Sequence, residues 1–167
     1  EYFCRIQSII VIAGIFYGVF FIFPGSLSKL YKDQVLSQNA SGYSLYKWAN
    51  STLKEDDVVI STHKSISLGE ANYISTEFSS FLKSKTKNSE IIYDNLIKKN
   101  PKFFLTRGYT NQKPYFGRFK NCLGKLKYYK SSIGTHEARN PFNRGNKYDG
   151  YIYEFDITKF PECLDKK

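Results

Sequence analysis

Methionine is absent from this 167-residue chain, tryptophan occurs once and histidine only twice. With Glu1 as the first residue, the missing methionine leads to the expectation that the chain is a piece of a longer protein. Cysteines number three, with no CxxC and no nearby histidine pair. The spacing of a zinc site is therefore lacking, and no metal is expected. There is no GxSxG elbow, no Walker loop and no HExxH segment, so the common signatures of hydrolase, nucleotide and zinc-protease chemistry are missing. Internal repeats and low-complexity linkers are also lacking. No catalytic constellation is visible, and no cofactor is expected.

Charge is missing from one long stretch. No charged residue occurs between Ile6 and Ser28, a run that contains "SIIVIAGIFYGVFFIFPG". At 1.5 Å per residue this run makes a helix of roughly 34 Å, against a hydrocarbon core of about 30 Å. A signal sequence would end in a small-residue cleavage site, whereas this run ends in Pro24-Gly25, a helix stop. Gly14 and Gly18 form a small-xxx-small pair that allows close helix contact. The expectation is a transmembrane helix over residues 1–28, followed by a soluble domain over 29–167. A buried helix of a soluble protein and a cleaved signal are the competing readings.

Positive charge is what the rest has in excess. The formal net charge is +10, and Lys83 to Lys130 holds thirteen Lys or Arg against Glu90 and Asp94 alone. Such a surface attracts phosphates. The segment "KPYFGRFKNCLGKLKYYK" interleaves basic and aromatic residues, and Lys120, Lys125, Lys127 and Lys130 form the expected basic face. A solvated lysine surface is the competing reading. Nucleic acid is disfavoured as a partner, because RNP and helix-turn-helix signatures are missing and a bilayer is expected just upstream.

Elements follow from periodicity. "SGYSLYKWANSTLKEDD" places Ser41 as an N-cap and Leu45, Trp48, Ala49 and Leu53 at helical spacing. "VVIST" (Val58 to Thr62) and "KFFLT" (Lys102 to Thr106) read as strands, and "GYIYEFDI" (Gly150 to Ile157) as a third strand exposed on one face. "SSFLKSK" is a weak helix, and "NSEIIYDNLIKKN" a better one, capped by Asn88 or Ser89 and stopped by Pro101. The expected fold class is α/β with a partly parallel sheet.

Candidate ligand contacts are sparse. His63 follows the first strand, where α/β folds place ligand-contacting residues. A polar loop carries His136, Arg139, Asn140, Arg144 and Lys147, and two arginines there would clamp a phosphate or carboxylate. A loop that only ties strands together is the competing reading. Cys122 and Cys163 form a disulfide if the domain lies outside the cytoplasm, and stay buried thiols otherwise. Lys29 and Lys32 favour a cytoplasmic tail, but large domains translocate largely regardless of that bias.

The order of parts carries a resemblance. A hydrophobic helix ending in Pro-Gly, a connector, "YSLYKWANSTLKEDDVVIST" and the later "NPFNRGNKYDGYIYEFD" together resemble the C-terminal region of multi-pass bacterial membrane proteins of the GT-C glycosyltransferase type. These enzymes use polyprenyl-phosphate sugars. The resemblance implies a last transmembrane helix with an extracytoplasmic (periplasmic) α/β tail that packs over the membrane-embedded site and against the other transmembrane helices. The tail would help bind acceptor or lipid-linked phosphate sugar. The catalytic acids of that family lie in the first extracytoplasmic loop, so no catalytic residue carries over to this chain. The competing expectation is a non-enzymatic, single-span, membrane-anchored binding or assembly domain that faces anionic lipid.

Overall fold

A computed structural model describes residues 2–22, 28–40, 42–62, 66–83, 87–109, 113–135, 147–160 and 162–164. The chain forms two compact units, residues 1–40 and 41–167. In the first, helix α1 runs Tyr2–Ile22 and α2 runs Lys29–Asn39. The sequence pattern predicts only a connector here, where the structure has a helix. Its N-cap Ser28 makes no side-chain cap bond. Among the described residues, no helix is long and apolar enough to cross a membrane, so the expected transmembrane helix over 1–28 finds no support. What α1 does have is apolar side chains on all sides, with Ile9, Ile10, Ile15, Phe16 and Tyr17 all exposed.

The second unit is α/β with a five-stranded, partly parallel sheet, in agreement with the expected class. Its elements are α3 (Tyr43–Thr52), β1 (Val58–Ser61), β2 (Asn72–Ser75), α4 (Lys87–Lys99), β3 (Phe103–Tyr109), β4 (Leu123–Thr135) and β5 (Lys147–Phe155). Short 3₁₀ turns cover Ile66–Leu68, Thr76–Lys83, Gly117–Cys122 and Ile157–Lys159. Strand order is β2-β1-β3-β5-β4. The first three strands are parallel; β5 pairs antiparallel with both β3 and β4.

Each face of the sheet has its own core. Leu45, Tyr46, Trp48, Ala49 and Leu53 of the α3 segment pack on Val59, Leu105, Tyr148 and Ile152. The predicted apolar spacing therefore marks the buried side of this helix. Its cap differs from expectation: the N-cap is Gly42, at φ 77°, in the left-handed region that glycine tolerates. The opposite face buries Ile60, Phe104 and Phe155 against Leu96 of α4, Phe119, Phe160 and Leu164. Alternate residues of β1 and β3 thus face opposite cores, as strands buried on both sides require.

Two strands escaped the sequence reading. β2 is only four residues long, and β4 starts inside the basic, aromatic segment, to which the sequence pattern assigns no element. β5 begins at Lys147, earlier than Gly150, and Ile157 belongs to a 3₁₀ turn instead of the strand. The strand is also covered on both faces, since Ile152 and Phe155 enter separate cores. Gly150 is required there: a Cβ at this position would lie 2.5 Å from Trp48 Cζ3, so only glycine lets α3 approach the sheet.

Candidate binding surface on the antiparallel half of the sheet

The carboxyl ends of β1 and β3 are the natural place to look first. The chain leaves β1 toward β2 on one side, and β3 is followed by β4 at the opposite edge. Such a switch in direction opens a ligand crevice in many α/β sheets. Here the hydroxyls at that end are consumed internally. The Tyr46 hydroxyl and Ser61 Oγ lie 2.8 Å apart, both residues fully buried. Thr62 Oγ1 donates to Thr106 Oγ1 at 3.1 Å, and Thr106 Oγ1 donates to the Tyr115 carbonyl at 2.6 Å. Burial pushes the Tyr46 phenol up to about 12, with the Ser61 bond a smaller, opposing influence. Tyr73, edge-on to Tyr46 at 4.9 Å, is also raised, by burial first and then by Tyr46 and Glu70. Its hydroxyl donates to Asn50 Oδ1 at 3.0 Å, which pins α3 to β2.

His63, His136, Arg139, Asn140 and Arg144 lie outside the described residues. Lys147 is exposed at the start of β5, opposite Thr135 of β4. The switch-point and loop candidates are therefore not brought together into one described site. No group of three or more His, Cys, Asp or Glu able to hold a metal occurs among the described residues.

The lysine candidates sit on the other half of the sheet. Lys125, Lys127 and Lys130 are exposed along β4, the edge strand, and Lys120 is exposed in the 3₁₀ turn that leads into it. Lys127 Nζ reaches Glu154 Oε1 at 3.4 Å. Lys120, Lys125 and Lys130 have no ion-pair partner among the described residues. Leu126, Tyr128 and Tyr129 are exposed between them. Each lysine on an edge strand also discourages edge-to-edge pairing, so part of this pattern has a purely protective value.

β4 holds its shape through irregularity. Its register against β5 shifts between Leu123 and Leu126, between Leu126 and Tyr128, and between Lys130 and Gly134. Within the last bulge Ser132 takes φ 51°. Its N–H is freed from the ladder and donates to Asp149 Oδ1 at 2.8 Å, while the Tyr129 hydroxyl donates to Asp149 Oδ2 at 3.1 Å. Asp149 is thus a buried acid satisfied by a bulge and a tyrosine, a role that nothing in the local sequence pattern announced. Tyr129 lies against Tyr151 at 5.1 Å, and Tyr151 against Tyr153 at 6.4 Å, forming an aromatic row on the α4 side of the sheet. On the β3 side, the Arg107 guanidinium lies 5.3 Å from the Tyr148 ring centroid.

The turn before β4 is tied covalently. Cys122 and Cys163 are joined by a disulfide, their Cα atoms 5.0 Å apart, beneath the Phe119, Phe155 and Phe160 rings. Below it, Asp156 caps the last 3₁₀ turn. The Thr158 hydroxyl, and then Lys159, hold its carboxyl below the usual range.

These features define the class: an α/β domain with a buried parallel half and an antiparallel half that presents lysines and tyrosines at its edge. The chain belongs to the family described as the DUF1420 C-terminal domain, which matches residues 37–166. No curated protein and no solved structure matches it.

Proposed function

We propose that residues 41–167 form a head-group-binding domain of a membrane protein, with β4 as the contact edge for lipid phosphate. The observation that carries this reading is the set of ammonium groups of Lys120, Lys125 and Lys130, without ion-pair partners among the described residues and interleaved with exposed Leu126, Tyr128 and Tyr129. Lysine beside tyrosine suits the membrane interface, where one group meets phosphate and the other sits at the apolar boundary. Each lysine near an anionic surface contributes about 1 kcal/mol. The same chemistry serves an anionic lipid or a lipid-linked phosphate sugar.

A membrane location draws support from α1. It exposes apolar side chains around its whole circumference, and nothing lies within 4 Å of a Cβ placed at Gly14 or Gly18. In the sequence the charge-free run continues to Ser28. In this reading the helix is embedded in the bilayer and packs against other membrane helices. The disulfide supports an extracytoplasmic, oxidising location. The parent is then a GT-C type membrane protein, on the sequence resemblance, and the domain assists binding instead of performing the transfer. A single-span anchored binding domain is the alternative, and the gene upstream of Glu1 decides between them: further spans with an acid-bearing first loop support the transferase.

The test uses the full chain on vesicles of graded anionic lipid content. Binding should rise with anionic fraction, and replacing Lys120, Lys125 and Lys130 together by Glu should remove that dependence, while the charge-independent contribution of α1 remains. A dependence unchanged in the triple variant overturns the reading.

A further inference from the structure

We propose that the two edges of the sheet are complementary, so that copies of this chain join head to tail, the β4 edge of one beside the β2 edge of the next. Both outer strands pair on one side only. Each therefore presents a row of N–H and C=O groups with no strand opposite, the template that strand addition uses. At β2 the alternation of the ladder says which groups these are. The Asn72 N–H donates inward, to the Asp57 carbonyl at 3.2 Å. In a parallel ladder the next residue points the other way, so the backbone groups of Tyr73 and Ser75 face out.

Direction and height match across the sheet. β2 is parallel to β1 and β1 to β3, β5 reverses against β3, and β4 reverses again. The two outer strands thus run the same way. Asn72 pairs with Val58, and the Lys102 N–H donates to the Val58 carbonyl. The Phe155 N–H donates to the Lys102 carbonyl, and Phe155 pairs with Leu123. One line across the sheet therefore joins the first residue of β2 to the first residue of β4. A second copy displaced sideways brings these two starts together as a parallel pair.

Charge selects this pairing over the others. Glu70 stands two residues before β2, and Glu55 and Asp56 lie in the turn whose Glu55 carbonyl accepts from the Asn72 side chain. All three acids are exposed and have no ion-pair partner among the described residues. Lys54 in the same turn offsets one of these charges. At the matching end of β4 stand Lys120 and Lys125. Two β4 edges would set lysine against lysine, and two β2 edges acid against acid. The mixed pairing joins opposite charges. The edge lysines thus guard against one association and favour another.

The contact uses different surfaces on the two partners, so a pair keeps one free edge of each kind and admits a third copy. Because β2 offers only four residues, the contact is small and the association weak. It stands apart from lipid binding, since changes at Glu70 and Asp56 leave the β4 lysines in place.

The experiment is sedimentation velocity on the full chain in neutral detergent micelles at low salt, over rising protein concentration. The sedimentation coefficient should climb past the dimer value and fall back at about 0.5 M salt. Lys120→Glu with Lys125→Glu should abolish the climb, and so should Asp56→Lys with Glu70→Lys. Mixing these two variants should restore it, because every edge then meets one of opposite sign. Ser75→Pro removes an outward N–H without changing charge and should weaken the association about fivefold, the loss of roughly one hydrogen bond. If that variant misfolds, the mixing experiment decides the matter. No growth with concentration, growth that ends at the dimer, growth that persists in either charge variant, or no recovery on mixing overturns the proposal. So does unchanged association in a folded Ser75→Pro variant.

Discussion

The two halves of the sheet differ in what their side chains do. In the parallel half, β1 and β3 put Val59, Ile60, Phe104 and Leu105 wholly out of solvent, and even the polar Ser61 and Thr106 are buried and bonded. In the antiparallel half, β4 turns lysines and tyrosines outward along a bulged edge. The first half fixes the fold and has spent its polar groups internally. The second half is free to face something else, because the strand next to it, β5, is already held by both cores. In the proposed reading, stability and recognition thereby fall to neighbouring strands of one sheet, and the assignment can be broken from either side.

The largest effect should come from the scaffold. Trp48 bridges α3 to the sheet over Gly150, and Trp48→Ala should cost about 4 kcal/mol of unfolding free energy in denaturant titration. Next is the disulfide, which closes a chain segment with a sequence separation of 41. Replacing Cys122 and Cys163 together by Ala should cost about 3 kcal/mol, read from the same titrations. Tyr46→Phe removes one buried hydrogen bond and should cost about 1 kcal/mol at neutral pH. Its pH signature is more specific. The folded phenol titrates near 12 against an ordinary 10.0, so its contribution is complete below pH 10 and is lost as pH rises toward 12. Thermal melts of Tyr46→Phe should lack that alkaline loss. Smallest on stability should be the recognition half: Lys120, Lys125 and Lys130 all changed to Glu should shift unfolding by no more than about 0.5 kcal/mol each. A large destabilisation there would mean that the edge lysines are structural and would erase the contrast between the halves.

The scaffold was the legible part. Leu45, Trp48, Ala49 and Leu53 fall on one side of a helix, and "VVI" and "FFL" have the unbroken apolar character of strands covered on both faces. β4 was not legible, since three register shifts break the alternation that marks a strand and its residues face water. β2 is too short to show any period. The juxtaposition of Phe103, Gly124 and Glu154 was invisible for a different reason: these residues become neighbours only through strand register. For the cysteines, sequence offered a pair but not its distance, which depends on the turn at Gly117–Cys122 meeting the chain after Phe160.

The contrast is tested most directly by hydrogen–deuterium exchange on the full chain in nanodiscs, comparing zwitterionic lipid with lipid containing an anionic fraction. The account predicts added protection along Leu123–Thr135 and the preceding turn, with β1 and β2 unchanged. Protection confined to the parallel half, or no lipid-dependent difference in β4, would contradict it.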